Sequence, residues 1–447
     1  MDCRNYFKNK KITVIGLGLL GRGIGDTLYL AECGAELVVT DLKSEAELAE
    51  SLEKLKDFKN ISYTLGEHKM EDFKGRDMVL VAASVPLDSE YVVHAVKDGA
   101  RKVQSAALFA ELTEIPIIGI TGTRGKSTVT QMIYHVLTQT TESSAVLLGG
   151  NIRGVSNLQL LKEVKEDSIA VFELDSWQLQ GFGWAEISPQ IAVFTNFMED
   201  HMDYYKGDMN AYFADKSNIF AHQGEDGVLI TTPLVLERAQ KLKGVTLQQK
   251  VVLADSSTVP KDVNLKMPGE HNRMNAALAY EALKAVNLSD EEIYKGLTSF
   301  SGVEGRLQYM KEVNGVKIYN DNNATTPAAT VAGLKAIAEG RNVILIAGGH
   351  DKKLPLAPLL EAIKTHVKKV ILIPGTGTDR LLELLEAYST INRTIAVESL
   401  QQAVEEARLA ADRGDVILFS PAFASFGEYV NEYDRGDQFV DIIKKVI

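Results

Sequence analysis

Cysteine is nearly absent. Cys3 and Cys33 are the only two in 447 residues, too few for a disulfide framework or a thiolate metal site, and the count suits a reducing compartment. Proline is sparse, at 11, and the chain contains no internal repeat and no low-complexity tract. Positive charge is in deficit: 48 Lys and Arg face 60 Asp and Glu, a net charge of −12. That balance excludes a general binder of nucleic acid or of anionic membranes, whose phosphates attract Lys- and Arg-rich surfaces. No stretch approaches the ~18 apolar residues of a membrane-spanning helix, and MDCRNYFKNKK at the N-terminus has no apolar signal core. What is present is a 45% apolar, 24% charged composition, long enough for several cores. The expectation is a soluble, cytoplasmic, multidomain protein that touches neither nucleic acid nor membrane.

Short β-branched runs alternate with helix-length segments. KITVIGL (11–17), ELVVTD (36–41) and MVLVAAS (78–84) read as buried strands, and the spacing predicts crossover helices and a parallel sheet. IPIIGIT (115–121) opens a second α/β unit, followed by SIAVFEL (168–174) and QIAVFTN (190–196). The polar stretch 255–269 is the least regular and reads as a hairpin excursion, and HNRMNAALAYEALKAV (271–286) as a helix. After the GVEGR turn (302–306), NVILIAGG (342–349), KVILIPG (369–375) and DVILFSPA (415–422) are three more apolar strands ending in small residues. The fold class is therefore α/β with three α/β domains, placed at 1–113, 114–299 and 300–447. In open α/β sheets, ligands sit at the carboxyl ends of strands.

Two glycine-rich turns lie between a strand and a helix. GLGLLG (Gly16, Gly18, Gly21), with Asp41 ending the next strand, fits a dinucleotide fingerprint. It also fits another nucleotide, or simple tight packing of strand on helix. ITGTRGKST (120–128) is a P-loop variant of the form T-G-T-x-G-K-S. Gly122, Thr123 and Gly125 offer backbone N–H groups to phosphate oxygens, Lys126 reaches toward β and γ phosphates, and Ser127 and Thr128 supply hydroxyls, Ser127 for Mg²⁺. Polar clusters follow at strand ends. Glu173 is a candidate Mg²⁺ ligand, and NFMEDHMDYY (196–205) packs Glu199, Asp200, His201 and Asp203 into five residues. Lys216 sits on a helix, where spacing alone assigns it nothing but a solvated face. Asn272 and Asn275 share one helical face, as adenine or ribose contacts or as helix caps.

Together these segments resemble the Mur ligases, in particular the branch that adds D-glutamate. TGTxGKS, ELxSxQL (173–179), NxxxDHxDxY (196–205), HNxxNA (271–276) and the terminal SPAxAS…RG carry the resemblance, which covers nearly the entire chain. It implies an N-terminal Rossmann-like domain that binds a UDP substrate, a central P-loop ATPase domain and a C-terminal Rossmann-like domain that binds the amino acid and closes over ATP. It implies ATP-dependent amide formation between UDP-N-acetylmuramoyl-L-alanine and D-glutamate through an acyl phosphate, in peptidoglycan precursor synthesis, by a monomer. Gly18, Leu19, Leu20, Asp41, Asn151 and His201 would hold the UDP substrate. Gly122, Thr123, Gly125, Lys126, Ser127, Thr128, Asn272, Asn275, Arg306 and Asp321 would bind ATP. Ser127, Glu173, His201 and Lys216 would serve two Mg²⁺ ions, Lys216 as a carbamate formed with CO₂. Lys126, His201 and Lys216 would be catalytic, and Thr325, Lys352 and Ser425 would bind the amino acid.

The match is weakest at the acceptor. The branch reads N-D-S-K-[AS]-T-N where this chain has NDNNATT (320–326), so Asn323 replaces a lysine. Glu432 stands where an aromatic is expected, with Tyr433 one place on. Gly305 replaces a frequent histidine, and SVPLDS (84–89) is shorter than the usual loop near uridine. Losing one charge-assisted hydrogen bond costs about 1.5–3 kcal/mol, enough to move the preference toward L-glutamate or another amino acid without abolishing acyl-phosphate chemistry. An NAD enzyme would leave the P-loop idle, and a folylpolyglutamate-type ligase would lack the GLGLLG unit. A regulator that binds without reacting has no use for Lys126, Glu173, His201 and Lys216.

Overall fold

The computed structural model describes residues 3–17, 21–82, 85–86, 89–140, 146–242, 244–267, 269–387, 393–425 and 427–446. Gly18, Leu19 and Leu20 lie outside the described residues, as do positions 84, 87 and 88 of the shortened SVPLDS loop. The chain divides into two compact units: Met1–Lys261 with Met274–Leu297, and Asp262–Arg273 with Thr298–Ile447.

The first unit holds two sheets. Strands β1 (Lys11–Ile15), β2 (Glu36–Asp41), β3 (Ile61–Leu65), β4 (Met78–Val81) and β5 (Arg101–Val103) form a parallel sheet in the order β3-β2-β1-β4-β5. The second sheet is also parallel: β6 (Ile117–Thr121), β7 (Val146–Gly150), β8 (Ile169–Glu173), β9 (Ile191–Phe194), β10 (Val228–Thr231) and β11 (Lys250–Leu253), in the order β11-β10-β9-β6-β8-β7. Residues of β6, β8 and β9 are buried throughout, as continuous apolar runs in a two-sided parallel sheet must be. In each sheet the strand order reverses about a central strand, β1 or β6, and a crevice opens there at the carboxyl ends. The two glycine-rich turns follow those two strands. Leu158, from the segment after β7, inserts into the core built on the first sheet, so the two sheets are fastened together.

The second unit carries β12 (Gln308–Val313), β13 (Val316–Asn320), β14 (Val343–Gly348), β15 (Val367–Ile373), β16 (Thr394–Ala396) and β17 (Val416–Ala422), in the order β12-β13-β17-β14-β15-β16. Only β12 and β13 pair antiparallel. They are joined at Asn314 and Gly315, both at positive φ (53° and 81°), which is the Asn-Gly hairpin turn.

Each of the nine expected strands is present, and the helix of 271–286 spans Glu270–Ala285. The hairpin excursion of 255–269 is not found. Among its described residues the only regular element is a 3₁₀ turn at Ser256–Thr258, and the following Pro260 offers no N–H to a ladder. Among the described residues no helix is long and apolar enough to cross a membrane.

Candidate active site

The P-loop leaves β6 through glycines at positive φ, where any side chain would be strained. Gly122 has φ 140°, and a Cβ there would lie 2.0 Å from Thr195 Oγ1; Gly125 has φ 84°, and its Cβ would lie 2.6 Å from Asn275 Oδ1. The segment after β9 supports the loop. Thr123 N–H donates to Asn196 O (3.0 Å) and Arg124 N–H to Asn196 Oδ1 (2.9 Å), while Met198 N–H donates to Thr123 Oγ1 (3.0 Å). Lys126 opens the helix Lys126–Thr140, so the loop's N–H groups and the positive end of the helix share one concavity, an arrangement suited to phosphate.

Two lysines converge on this loop. Lys126 Nζ donates to Gly122 O (3.0 Å) and Thr123 O (3.3 Å), and Lys216 Nζ donates to the same Gly122 O (3.0 Å) and to Thr121 Oγ1 (3.4 Å). Lys216 is not on a solvated face; it is 1% exposed. Burial, and then the neighbouring Lys126 charge, pull its pKa from 10.5 down to about 7. Glu173, Asp175 and Asp200 oppose that shift. Glu173 ends β8 and is 5% exposed. Next to Lys216 on its helix, Asp215 accepts from Gln180 Nε2 (2.7 Å) and Tyr205 Oη (2.9 Å), and burial raises its pKa. Among the described residues no three His, Cys, Asp or Glu side chains are gathered as a metal site. The carboxylate and hydroxyl donors of Glu173 and Ser127, beside a P-loop, fit a cation that takes its remaining ligands from phosphate and water.

At the first glycine-rich turn lies a cavity of 580 Å³, walled by the carboxyl ends of β1 and β4 and by residues after β7 and β8, including Arg22, Asn151, Asp175, Trp177 and Tyr204. Arg22 Nη1 donates to Asn151 Oδ1 (2.5 Å). Asp26 fastens the wall. Its Oδ1 accepts from Ser156 Oγ (2.6 Å) and Leu158 N–H (3.0 Å), and burial raises its pKa. Asp41 accepts from the glycine-rich turn itself, from Leu17 N–H (2.9 Å), and from Lys43 N–H (2.9 Å). Of the substrate residues expected from sequence, Asn151 lines the cavity, whereas Asp41 and His201 are not among its walls. His201 has φ 55° and its ring packs 4.6 Å from the Trp177 ring; burial lowers its pKa. Arg22, Asp26 and Trp177 were missed by the sequence reading. Their only signal was proximity to GLGLLG and ELxSxQL.

A second cavity, of 1000 Å³, opens beyond the Asn196–Met198 segment, with Arg238 stacked over Phe197 and Phe213. Asn272 and Asn275 are both buried on their helix.

In the second unit, Arg306 is exposed in a tight turn bridged Val303↔Arg306, and Leu307 beside it takes an unusual φ of 46°. Asp321 holds that strained residue. Its Oδ1 accepts from Leu307 N–H (2.9 Å) and its Oδ2 from Ser420 Oγ (2.8 Å), and burial pushes its pKa up to about 7. Lys352 Nζ donates to Thr325 Oγ1 (3.2 Å), and Ser425 is buried nearby in sequence to Ala424, which exchanges backbone hydrogen bonds with His350. Asn323 is spoken for: its Nδ2 donates to Glu304 O (3.2 Å) and its N–H to Gly305 O (2.8 Å).

Comparison with known proteins agrees with this geometry. Residues 120–244 match the Mur ligase middle domain and residues 305–423 the Mur ligase glutamate ligase domain. A UDP-N-acetylmuramoylalanine–D-glutamate ligase of Borreliella afzelii is 35% identical, covering 98% of each chain. The like-named protein of Clostridium acetobutylicum is 33% identical over 99% of this chain and 98% of its own. In fold, the chain resembles the UDP-N-acetylmuramate–alanine ligase of Thermotoga maritima (TM-score 0.62, 19% identity, 98% and 100% coverage). End-to-end similarity at this level, with both domain models matched, makes the chain a member of the Mur ligase family.

Proposed function

We propose that the chain joins D-glutamate to UDP-N-acetylmuramoyl-L-alanine at the cost of ATP, by way of an acyl phosphate, in the cytoplasm. The observation that carries this reading is the meeting of Lys126 and Lys216 on the Gly122 carbonyl at the mouth of the P-loop. A carboxylate is a poor electrophile, and its phosphorylation needs positive charge where the γ-phosphoryl group transfers; Lys126 supplies it directly, and Lys216, once a carbamate, would supply it through a bound Mg²⁺. The domain limits of this reading are 1–113, 114–299 and 300–447.

The P-loop N–H groups of Gly122–Thr128 cradle the ATP phosphates, and Lys126 leaves its loop carbonyls to reach them. Asn272 and Asn275 take the nucleoside, with Arg306 and Asp321 as further ATP residues. Ser127, Glu173, His201 and Lys216, the last as a carbamate, would hold Mg²⁺, which would supply charge neutralisation for the transferring phosphoryl group. Asn151 and the walls of the 580 Å³ cavity orient the UDP-sugar, with Gly18, Leu19, Leu20 and Asp41 at its nucleotide end. His201, packed on Trp177, orients the alanyl carboxylate. Thr325, Lys352 and Ser425 hold the amino acid, whose deprotonated amine attacks the acyl phosphate carbon and expels phosphate.

Phosphate release from ATP, with UDP-N-acetylmuramoyl-L-alanine, Mg²⁺ and bicarbonate, is measured with one amino acid added at a time. Release with D-glutamate is expected. Release only with another amino acid moves the acceptor preference, and traces it to the segment where Asn323 replaces lysine. Release with none refutes the proposal.

A further inference from the structure

In the second unit, one of the largest fully buried side chains is a cation. Arg435, in the helix Glu432–Val446, is 0% exposed, and no carboxylate forms a salt bridge with it among the described residues. All its hydrogen bonds go to neutral oxygens: Nε to Asn322 Oδ1 (2.8 Å), Nη2 to Asn322 O (3.1 Å) and Nη1 to Phe423 O (3.3 Å). Burial lowers its pKa to about 10, so it remains charged at neutral pH. An unpaired buried charge is costly. What a guanidinium offers in return is a rigid planar fork of five donors, able to hold several strands of backbone at once.

The backbone it holds is telling. Asn322 precedes Thr325 by three residues, and Phe423 precedes Ser425 by two. Gly349 precedes Lys352 by three, and a Cβ on Gly349 would lie 3.3 Å from Arg435 Nη1 and 2.3 Å from Ala424 O. The same three loops are laced to one another. His350 N–H donates to Ala424 O (2.9 Å), Ala424 N–H to His350 O (3.0 Å) and Ala422 N–H to Ala324 O (2.9 Å). Asn322 in turn is held by the helix, its Nδ2 donating to Glu432 O (2.5 Å).

We propose that Arg435 is the positioning residue of the acceptor site, fixing Thr325, Lys352 and Ser425 relative to one another through the bases of their loops and so setting affinity for the amino acid. This rests on the reading that those three residues bind the acceptor. The test measures KM for the amino acid, ATP and the UDP-sugar, together with thermal midpoints, in Arg435→Lys, Asn322→Ala, Asn322→Asp and Lys352→Ala. Arg435→Lys keeps the charge and loses the fork. It raises the amino-acid KM roughly tenfold or more, the worth of one or two charge-assisted hydrogen bonds, while the other two KM values stay within about twofold. Asn322→Asp, which keeps oxygens facing the guanidinium, raises the amino-acid KM less than Asn322→Ala does. Should Arg435→Lys not fold, the Asn322 pair decides alone. An unchanged amino-acid KM in Lys352→Ala overturns the acceptor-site reading itself. With Lys352→Ala impaired, an unmoved amino-acid KM in Arg435→Lys, or a parallel rise of all three KM values with a fall in midpoint, overturns the positioning role alone.

Discussion

Depriving the protein of dissolved CO₂ probes the Lys216 reading at its root. Carbamate formation requires the neutral amine, which attacks CO₂, forms an N–C bond and loses a proton. An ordinary lysine of pKa 10.5 is about 0.1% neutral at pH 7.5, whereas one at about 7 is roughly three-quarters neutral, an increase of nearly 10³ in the reactive form. The shift comes from 1% exposure and from Lys126 sharing the Gly122 carbonyl. A carbamate on Lys216 would reverse the sign of charge beside that second lysine. Phosphate release is assayed in CO₂-stripped buffer and again after bicarbonate is restored, and ¹³C NMR with labelled bicarbonate looks for the carbamate carbon. Activity should fall in stripped buffer and return, and Lys216→Ala should lose both the signal and at least about 10² in rate. Full activity without CO₂ and no ¹³C signal would refute the reasoning. The uncarbamylated protein carries a second signature. Its folded pKa is below the unfolded one, so the unfolded chain holds the extra proton between pH 7 and 10.5, and stability rises with pH across that window. Lys216→Met should flatten that rise in urea denaturation.

Three further outcomes are expected. Gly122→Ala, which forces a Cβ to 2.0 Å from Thr195 Oγ1 at φ 140°, should weaken nucleotide binding at least roughly tenfold and cost about 2 kcal/mol or more in stability; fluorescent-nucleotide titration and urea melts read both. Asp26→Ala should cost about 2–4 kcal/mol by stranding Ser156 Oγ and Leu158 N–H, whereas Asp26→Asn, whose oxygen still accepts both, should stay within about 1 kcal/mol; equal losses in the two variants would be fatal to the argument. Asp321 has its pKa raised to about 7, so the folded state holds the extra proton between about pH 4 and 7 and stability falls as pH rises through that window. Asp321→Asn should remove that slope in denaturation midpoints taken across the range.

What could be read from sequence follows from where the physical signal lies. Buried parallel strands such as β6, β8, β14 and β17 announce themselves as continuous apolar runs, because both faces are covered. The edge strands β3, β11 and β16 escaped notice, since half-exposed residues at a sheet edge need no such pattern; β3 reads only ISYTL. The hairpin of β12 and β13 carried an Asn-Gly turn in plain view and was overlooked. At the site, the P-loop was legible because phosphate binding demands glycines and a lysine at fixed spacing. The burial of Lys216 was not, because it depends on the P-loop, 94 residues away in sequence, packing against it. Arg22 and Asp26 act across some 130 residues, a separation that no local pattern encodes.

Two of the three departures from the family's pattern in the second unit, at 305 and 323, turn out to be one. Gly305 stands at φ 67°, and a Cβ placed on it would lie 3.1 Å from the Asn323 side chain. Asn323 in turn donates to Glu304 O and to Gly305 O, so its amide occupies the space that a side chain at 305 would need. A histidine at 305 would collide with this arrangement, and a lysine at 323 would have to point elsewhere or displace the turn. The absence of a histidine therefore makes room for the asparagine, and the asparagine pins the turn that leads into Arg306 and the strained Leu307. Asn323 is held by that turn. Its hydrogen bonds run toward Glu304 and Gly305, whereas Lys352 is the cation that reaches Thr325. On the proposed reading, acceptor affinity would then rest on Lys352, Thr325 and Ser425, the trio whose loops share Arg435.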